Sequence, residues 1–125
     1  MKKIFIGLLF SVISLFAFEE LNIDNFESKI KGKNVIIDFY AVWCPPCKVL
    51  NQKLEEFDII KPDSVTIYKL NIDEEPIITR KYGITKLPSL VYLKDGKPLK
   101  TIVGIQSAAE LMKSSQRIFD IKQEN

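Results

Sequence analysis

The chain has 125 residues, 46% of them hydrophobic, and a formal net charge of +2. This length and apolar content predict a single domain with an ordinary hydrophobic core. The absence of histidine excludes catalysis by imidazole, two cysteines are too few for a structural zinc site, and no basic cluster indicates nucleic-acid binding. We therefore expect no metal and no other cofactor.

Residues 1–17 have the composition of an export signal. Two lysines precede an almost wholly apolar run of fifteen residues, Ile4–Phe18, which is shorter than the roughly 20 residues that span a bilayer. This pattern predicts a secretory signal peptide with Ala17 as the candidate residue before cleavage. An uncleaved N-terminal anchor and a buried first helix are the alternatives. Residues 18–125 are expected to form the domain.

The remainder of the chain predicts alternating helices and strands. A short helix with Asp24 as its N-cap precedes the apolar strand Val35–Tyr40, and apolar residues recur at helical spacing from Cys47 onward. The further predicted elements are the strand Val65–Ile72, the helix Pro76–Tyr82, the hairpin strands Leu90–Leu93 and Leu99–Val103, and a helix after Gly104. The order β-α-β-α-β-β-α predicts an α/β fold in which a central mixed sheet is flanked by helices on both faces.

Cys44 and Cys47 are the only cysteines, and they lie two residues apart where the central strand gives way to a helix. This geometry is typical of thiol–disulfide exchange, because helix dipoles favour a thiolate at the helix N-terminus. We expect Cys44 to be the solvent-facing nucleophile and Cys47 to resolve the mixed disulfide. The alternatives are a permanent disulfide and an incidental pair.

Asp38 is a carboxylate inside the apolar strand. Burial raises the pKa of a carboxyl group, and a raised pKa suits a group that exchanges protons with Cys47. The alternative is a partly exposed aspartate that is hydrogen-bonded to the backbone.

The residues around this pair resemble the thioredoxin family. The resemblance extends over residues 21–118, and the matching segments are Asp38–Ala41, Trp43–Lys48, Lys69–Asp73, Lys81–Ile84, Leu87–Ser89, Lys94–Gly96 and Val103–Gly104. It implies the thioredoxin fold and a thiol–disulfide oxidoreductase that acts on client proteins. With the signal-like start, the chain resembles an exported bacterial member of the family.

The resemblance also implies roles for residues outside the cysteine pair. Lys69 would tune Asp38 electrostatically, although a plain surface lysine is the alternative. Pro88 would follow a cis peptide bond that turns the backbone of Leu87 toward a substrate strand, as in β-augmentation. The apolar rim of the substrate site would consist of Trp43, Leu87, Val103, Gly104 and Ile105. Ordinary core packing of Trp43 and a simple bend at Gly104 are the alternatives.

Pro45 and Pro46 replace the Gly-Pro that the family usually carries between its cysteines, and they bear on the direction of electron flow. Pro45 has no N–H to donate to a Cys44 thiolate, and the histidine typical of strong oxidants is absent. Both features predict a reducing couple.

We therefore expect an exported, periplasmic protein-disulfide reductase, monomeric and supplied with electrons by a membrane donor. A periplasmic oxidase or isomerase and a redox-independent binding subunit are the alternatives.

Overall fold

A five-stranded mixed sheet forms the centre of the computed structural model, which describes residues 18–122. The elements are β1 (Glu19–Glu20), α1 (Phe26–Ile30), β2 (Asn34–Tyr40), α2 (Pro45–Ile60), β3 (Val65–Asn71), α3 (Pro76–Lys81), β4 (Ser89–Lys94), β5 (Lys97–Val103) and α4 (Ala108–Ile118). The predicted signal segment, residues 1–17, lies outside the described residues.

The strands follow the order β1-β3-β2-β4-β5 across the sheet. Strands β1 and β2 run parallel to β3, whereas β4 runs antiparallel to both β2 and β5. The α2 crossover connects the parallel strands β2 and β3, and a hairpin closes the other edge. The predicted α/β class and mixed sheet are confirmed.

The alternation of side chains along β2 divides the core into two layers. Val35, Ile37 and Phe39 pack with residues of α1 and α3 on one face of the sheet. Ile36 packs with residues of α2 and α4 on the other face. Asp38 has the parity of Ile36 and therefore lies on the face that α2 covers. None of the helices within residues 18–122 is long and apolar enough to cross a membrane.

The start of the domain differs from the sequence prediction in two places. The N-cap of α1 is Asn25 and not Asp24. The side chain of Asn22 accepts hydrogen bonds of 2.9 Å from the backbone N–H groups of both residues, so Asp24 lies inside the turn before the helix. The sequence pattern also misses β1, because a strand of two glutamates has no apolar alternation.

The β4–β5 hairpin turns where the sequence predicts it, at the end of the sheet opposite the cysteines. Asp95 and Gly96 have φ angles of 49° and 78°, which a tight two-residue hairpin turn requires. The Asp95 carboxylate accepts a hydrogen bond of 2.7 Å from the backbone N–H of Gly32. The turn is thereby fixed to the loop before β2.

Candidate active site

A disulfide joins Cys44 and Cys47 at the start of α2. Cys44 is the N-cap residue, and its sulfur accepts a hydrogen bond of 3.3 Å from the backbone N–H of Cys47. Pro45 and Pro46 occupy the first two helical positions and have no N–H groups. The first amide N–H that the helix directs at the Cys44 sulfur is therefore that of Cys47.

The two cysteines are buried but face different surroundings. Cys44 is 5% exposed and Cys47 is 3% exposed, so Cys44 is less open to solvent than the sequence predicts. Cys44 lines a cleft of about 350 Å³ that is mostly apolar, whereas Cys47 lines a more polar recess on the other side of the disulfide.

The cleft combines residues from three parts of the chain. Its lining consists of Trp43, Cys44, Pro45, Pro46, Ile72, Ile84, Thr85 and Leu87. Trp43 is 65% exposed, which excludes core packing, and its indole Nε1 donates a 2.8 Å hydrogen bond to the carboxylate of Asp73. This bond fixes the ring at the mouth of the cleft.

The predicted apolar rim falls into two groups around Pro88. The Leu87–Pro88 peptide bond is cis, and Leu87 lies in the cleft with Trp43. Gly104 donates its backbone N–H to the Pro88 carbonyl at 2.9 Å, so it lies next to that proline without lining the cleft. The neighbouring side chains of Val103 and Ile105 are about half exposed but do not line the cleft. Their role in substrate binding stays a prediction.

Asp38 is completely buried, which excludes the alternative of a partly exposed aspartate. Neither of its carboxyl oxygens accepts a hydrogen bond from a protein group within the described part of the chain. Burial raises the pKa of Asp38 to about 7, the positive charge of Lys69 opposes this rise, and Glu20 adds to it. The rise of this pKa is the one that the sequence predicts, whereas proton exchange with Cys47 stays a prediction.

Lys69 is partly buried between β3 and α2, which excludes a plain surface lysine. It pairs with Asp38 in the β2–β3 register, its ammonium donates a 3.0 Å hydrogen bond to Asn51 Oδ1, and it lies 4.1 Å from the centroid of the Tyr40 ring. The Tyr40 hydroxyl donates to both carboxylate oxygens of Glu20, at 2.8 and 2.7 Å. We refer to Glu20, Asp38, Tyr40, Asn51 and Lys69 as the charged cluster.

Several members of the site are missed by sequence reasoning. Tyr40 stands two residues after Asp38, so the strand period already places both on one face. Asn51 stands four residues after Cys47 on α2, where helical spacing places both on one side. Glu20 and Asp73 carry no comparable signal in the sequence, because tertiary contacts alone bring them to the site.

These features together define a thiol–disulfide oxidoreductase: a disulfide at a helix N-terminus, an apolar cleft against its first sulfur and a buried acid on the sheet face that the same helix covers. The thioredoxin family model matches residues 17–117. The chain belongs to the thioredoxin family.

The relatives agree with this assignment. A thioredoxin from Alicyclobacillus acidocaldarius is 43% identical over 88 residues, which cover 70% of this chain and 84% of that protein. A thioredoxin from Chlamydia caviae is 40% identical over 90 residues, covering 72% and 87%. Among solved structures, that of chloroplastic thioredoxin z superposes with a TM-score of 0.73 at 29% identity, covering 82% of this chain and 95% of that one.

Proposed function

We propose that this thiol–disulfide oxidoreductase is an exported protein-disulfide reductase. The observation that carries the direction of electron flow is the start of α2, where Pro45 and Pro46 leave the N–H of Cys47 as the donor to the Cys44 sulfur. Donors to a thiolate stabilise the reduced protein and make it a stronger oxidant. A helix start with few donors therefore favours a reducing couple.

The reductive cycle begins with the dithiol form of the protein. The Cys44 thiolate attacks a client disulfide, forms a mixed disulfide and releases the first client thiolate, which takes up a proton. Cys47 then loses its proton and attacks the Cys44 sulfur. This step releases the second client thiol and leaves the Cys44–Cys47 disulfide, so the client gains two electrons and the protein loses two.

The charged cluster supplies the proton acceptor for the second step. The ionised carboxylate of Asp38 takes the proton of Cys47, which increases the thiolate fraction of the resolving cysteine. With a pKa of about 7, Asp38 is present in both protonation states near neutral pH. Lys69 stabilises the ionised state of Asp38 and keeps this acceptor available.

The proposal of export rests on the N-terminal sequence and is supported by the contacts of the first described residues. Phe18 packs against the core cluster of the α2 face, and β1 at Glu19–Glu20 pairs with β3. Cleavage after Ala17 would therefore leave the first strand complete. An uncleaved apolar segment would instead hold the domain close to the membrane surface.

An exported reductase needs a source of electrons outside the cytoplasm. Compartments that favour disulfides supply no reducing pool of the cytoplasmic kind, so we propose a membrane-bound dithiol donor that re-reduces Cys44 and Cys47. Client proteins with accessible disulfides are the proposed substrates, and the protein is proposed to act as a monomer.

Trapping in the native compartment tests this function. A Cys47→Ser variant should accumulate mixed disulfides with clients through Cys44, whereas a Cys44→Ser variant serves as the matched control and should trap none. The wild-type protein should fractionate outside the cytoplasm with its cysteine pair mainly reduced. A cytoplasmic location would contradict export. The reductase would be contradicted if the cysteine pair were mainly oxidised and if the client proteins lacked their disulfides in the deletion strain.

A further inference from the structure

One ammonium group, on the strand next to the buried acid, is hydrogen-bonded to the helix of the resolving cysteine. Lys69 pairs with Asp38 in the β2–β3 register, and its Nζ donates to Asn51 Oδ1 at 3.0 Å. Asn51 lies one helical turn after Cys47 on α2, and both residues line the polar recess together with Lys69. The position of the Lys69 charge is therefore set from α2 as well as from its own strand.

The partners of Lys69 are themselves held in place. The Asn51 amide nitrogen donates a 3.0 Å hydrogen bond to Glu55 Oε1, and this bond directs the amide oxygen toward Lys69. The ring of Tyr40, 4.1 Å from Lys69 Nζ, is fixed by the hydrogen bonds from its hydroxyl to Glu20. Because Asn51 and Tyr40 are already held in place, binding the Lys69 ammonium costs the conformational freedom of the lysine side chain alone.

We propose that Asn51 is a positioning residue that fixes the Lys69 ammonium within electrostatic range of Asp38, out of hydrogen-bonding contact with its carboxylate, and thereby sets the pH range in which Asp38 exchanges protons with Cys47. Without the Asn51 oxygen, we expect the partly buried lysine to turn toward solvent through the recess that it lines. Its charge would then favour the ionised carboxylate of Asp38 less strongly. This role concerns the dithiol chemistry that the site defines, and it is independent of export and of the direction of electron flow.

Among the charged partners of Asn51, Lys69 is the one that influences the pKa of Asp38 directly, and we expect Asn51 to act through it. Lys69 on β3 lowers the pKa of Asp38, whereas Glu20 on β1 raises it. Strand β4 places the apolar Leu90 opposite Asp38. The titratable side chains that line the recess beside Asp38 are Tyr40 on β2, Cys47, Lys48 and Glu55 on α2, and Lys69 on β3. Asn51 itself carries no charge, so its removal changes Asp38 by moving a neighbour.

A double-mutant cycle read by NMR tests this role. The chemical shift of the Asp38 carboxyl carbon is followed against pH in oxidised wild-type protein and in the Asn51→Ala, Lys69→Met and double variants. Lys69→Met should raise the titration midpoint of Asp38 by roughly one pH unit or more, because it removes a full positive charge near the carboxylate. Asn51→Ala should raise it by less, and it should add nothing in the Lys69→Met background.

Gln52→Ala provides the matched control. Gln52 lines the same recess on the same helix and makes no hydrogen bond to Lys69, so its substitution should leave the midpoint unchanged. An Asn51→Ala variant with the wild-type midpoint would overturn the proposal. So would an Asn51→Ala substitution that shifts the midpoint equally in the presence and absence of Lys69. A midpoint shift of the same size from Gln52→Ala would also overturn it. Alanine is favourable within a helix, so the Asn51→Ala variant is expected to fold.

Discussion

The two sides of the Cys44–Cys47 disulfide differ in chemistry. The cleft against Cys44 is mostly apolar and carries an exposed tryptophan, whereas the charged cluster near Cys47 contains a buried acid and a lysine held by two partners. The cleft is suited to binding a client, and the cluster is suited to moving a proton. Because the two tasks lie on opposite sides of one disulfide, each can be disturbed by substitution with limited effect on the other.

The largest effects should come from the cysteines themselves, and they should differ in kind. Cys44→Ser should abolish exchange with a peptide disulfide, because the attacking sulfur is lost. Cys47→Ser should still react once and then stop as a mixed disulfide, since no thiol remains to resolve it. Mass spectrometry of the adducts distinguishes the two outcomes. A stable adduct on Cys47 in the Cys44→Ser variant would show that Cys47, and not Cys44, is the attacking sulfur.

The next largest effect should be the pH-dependent stability conferred by Asp38. The folded protein raises the pKa of this group from 3.8 to about 7, so between these values the native state binds more protons than the unfolded state. The stability contribution of Asp38 is therefore favourable at low pH and is lost as pH rises toward 7. The full difference corresponds to roughly 4 kcal/mol.

An Asp38→Asn variant makes this loss measurable. The variant should gain stability relative to the wild-type protein as pH rises from 4 to 8, by up to roughly 4 kcal/mol in the oxidised form. Urea denaturation at a series of pH values gives the difference directly. Asp63→Asn removes a carboxylate from the exposed loop before β3 and serves as the control. A stability difference between Asp38→Asn and wild type that stays constant over this range would mean that Asp38 titrates at its ordinary pKa.

A smaller effect is expected from the cleft. Trp43→Ala should raise the KM for a protein disulfide by roughly tenfold, because truncation of an exposed aromatic contact costs about 1–2 kcal/mol of binding. The pH profile should keep its wild-type shape. Ile59→Ala is the matched control, since Ile59 is 71% exposed near the opposite end of α2. Equal effects of the two substitutions on KM would show that the cleft is not the docking surface.

The smallest effect should come from the two prolines between the cysteines. An N-cap side chain accepts hydrogen bonds from the second or third helical N–H, and Pro46 occupies the second position. Pro46→Ala should therefore raise the reduction potential by about 20 mV, or roughly 1 kcal/mol, and Pro45→Ala should raise it by less. Potentials from equilibration with a thiol–disulfide buffer test this order. A larger rise for Pro45→Ala would show that the first helical N–H is the one that matters.

The two sides of the disulfide also differ in how far they can be predicted from the sequence. The strand that ends before Trp43, the helix that begins after Cys44 and the burial of Asp38 all follow from local patterns. Trp43 and Leu87 are implied by resemblance and do lie in the cleft. Most of the contacts around Lys69 do not follow, because they are made by single side chains with no periodic signal. Glu20 lies in a two-residue strand whose position depends entirely on its pairing with β3.

The reduction potential of the wild-type protein tests the proposed reductase most directly. Purified protein without residues 1–17 is equilibrated with thiol–disulfide buffers of known potential, and the fraction of Cys44–Cys47 disulfide is measured by alkylation. A helix start with two prolines and a buried acid predicts a reducing couple, near the value of about −270 mV known for thioredoxin. A potential near about −120 mV, the range of strong oxidants, would contradict the assignment as a reductase.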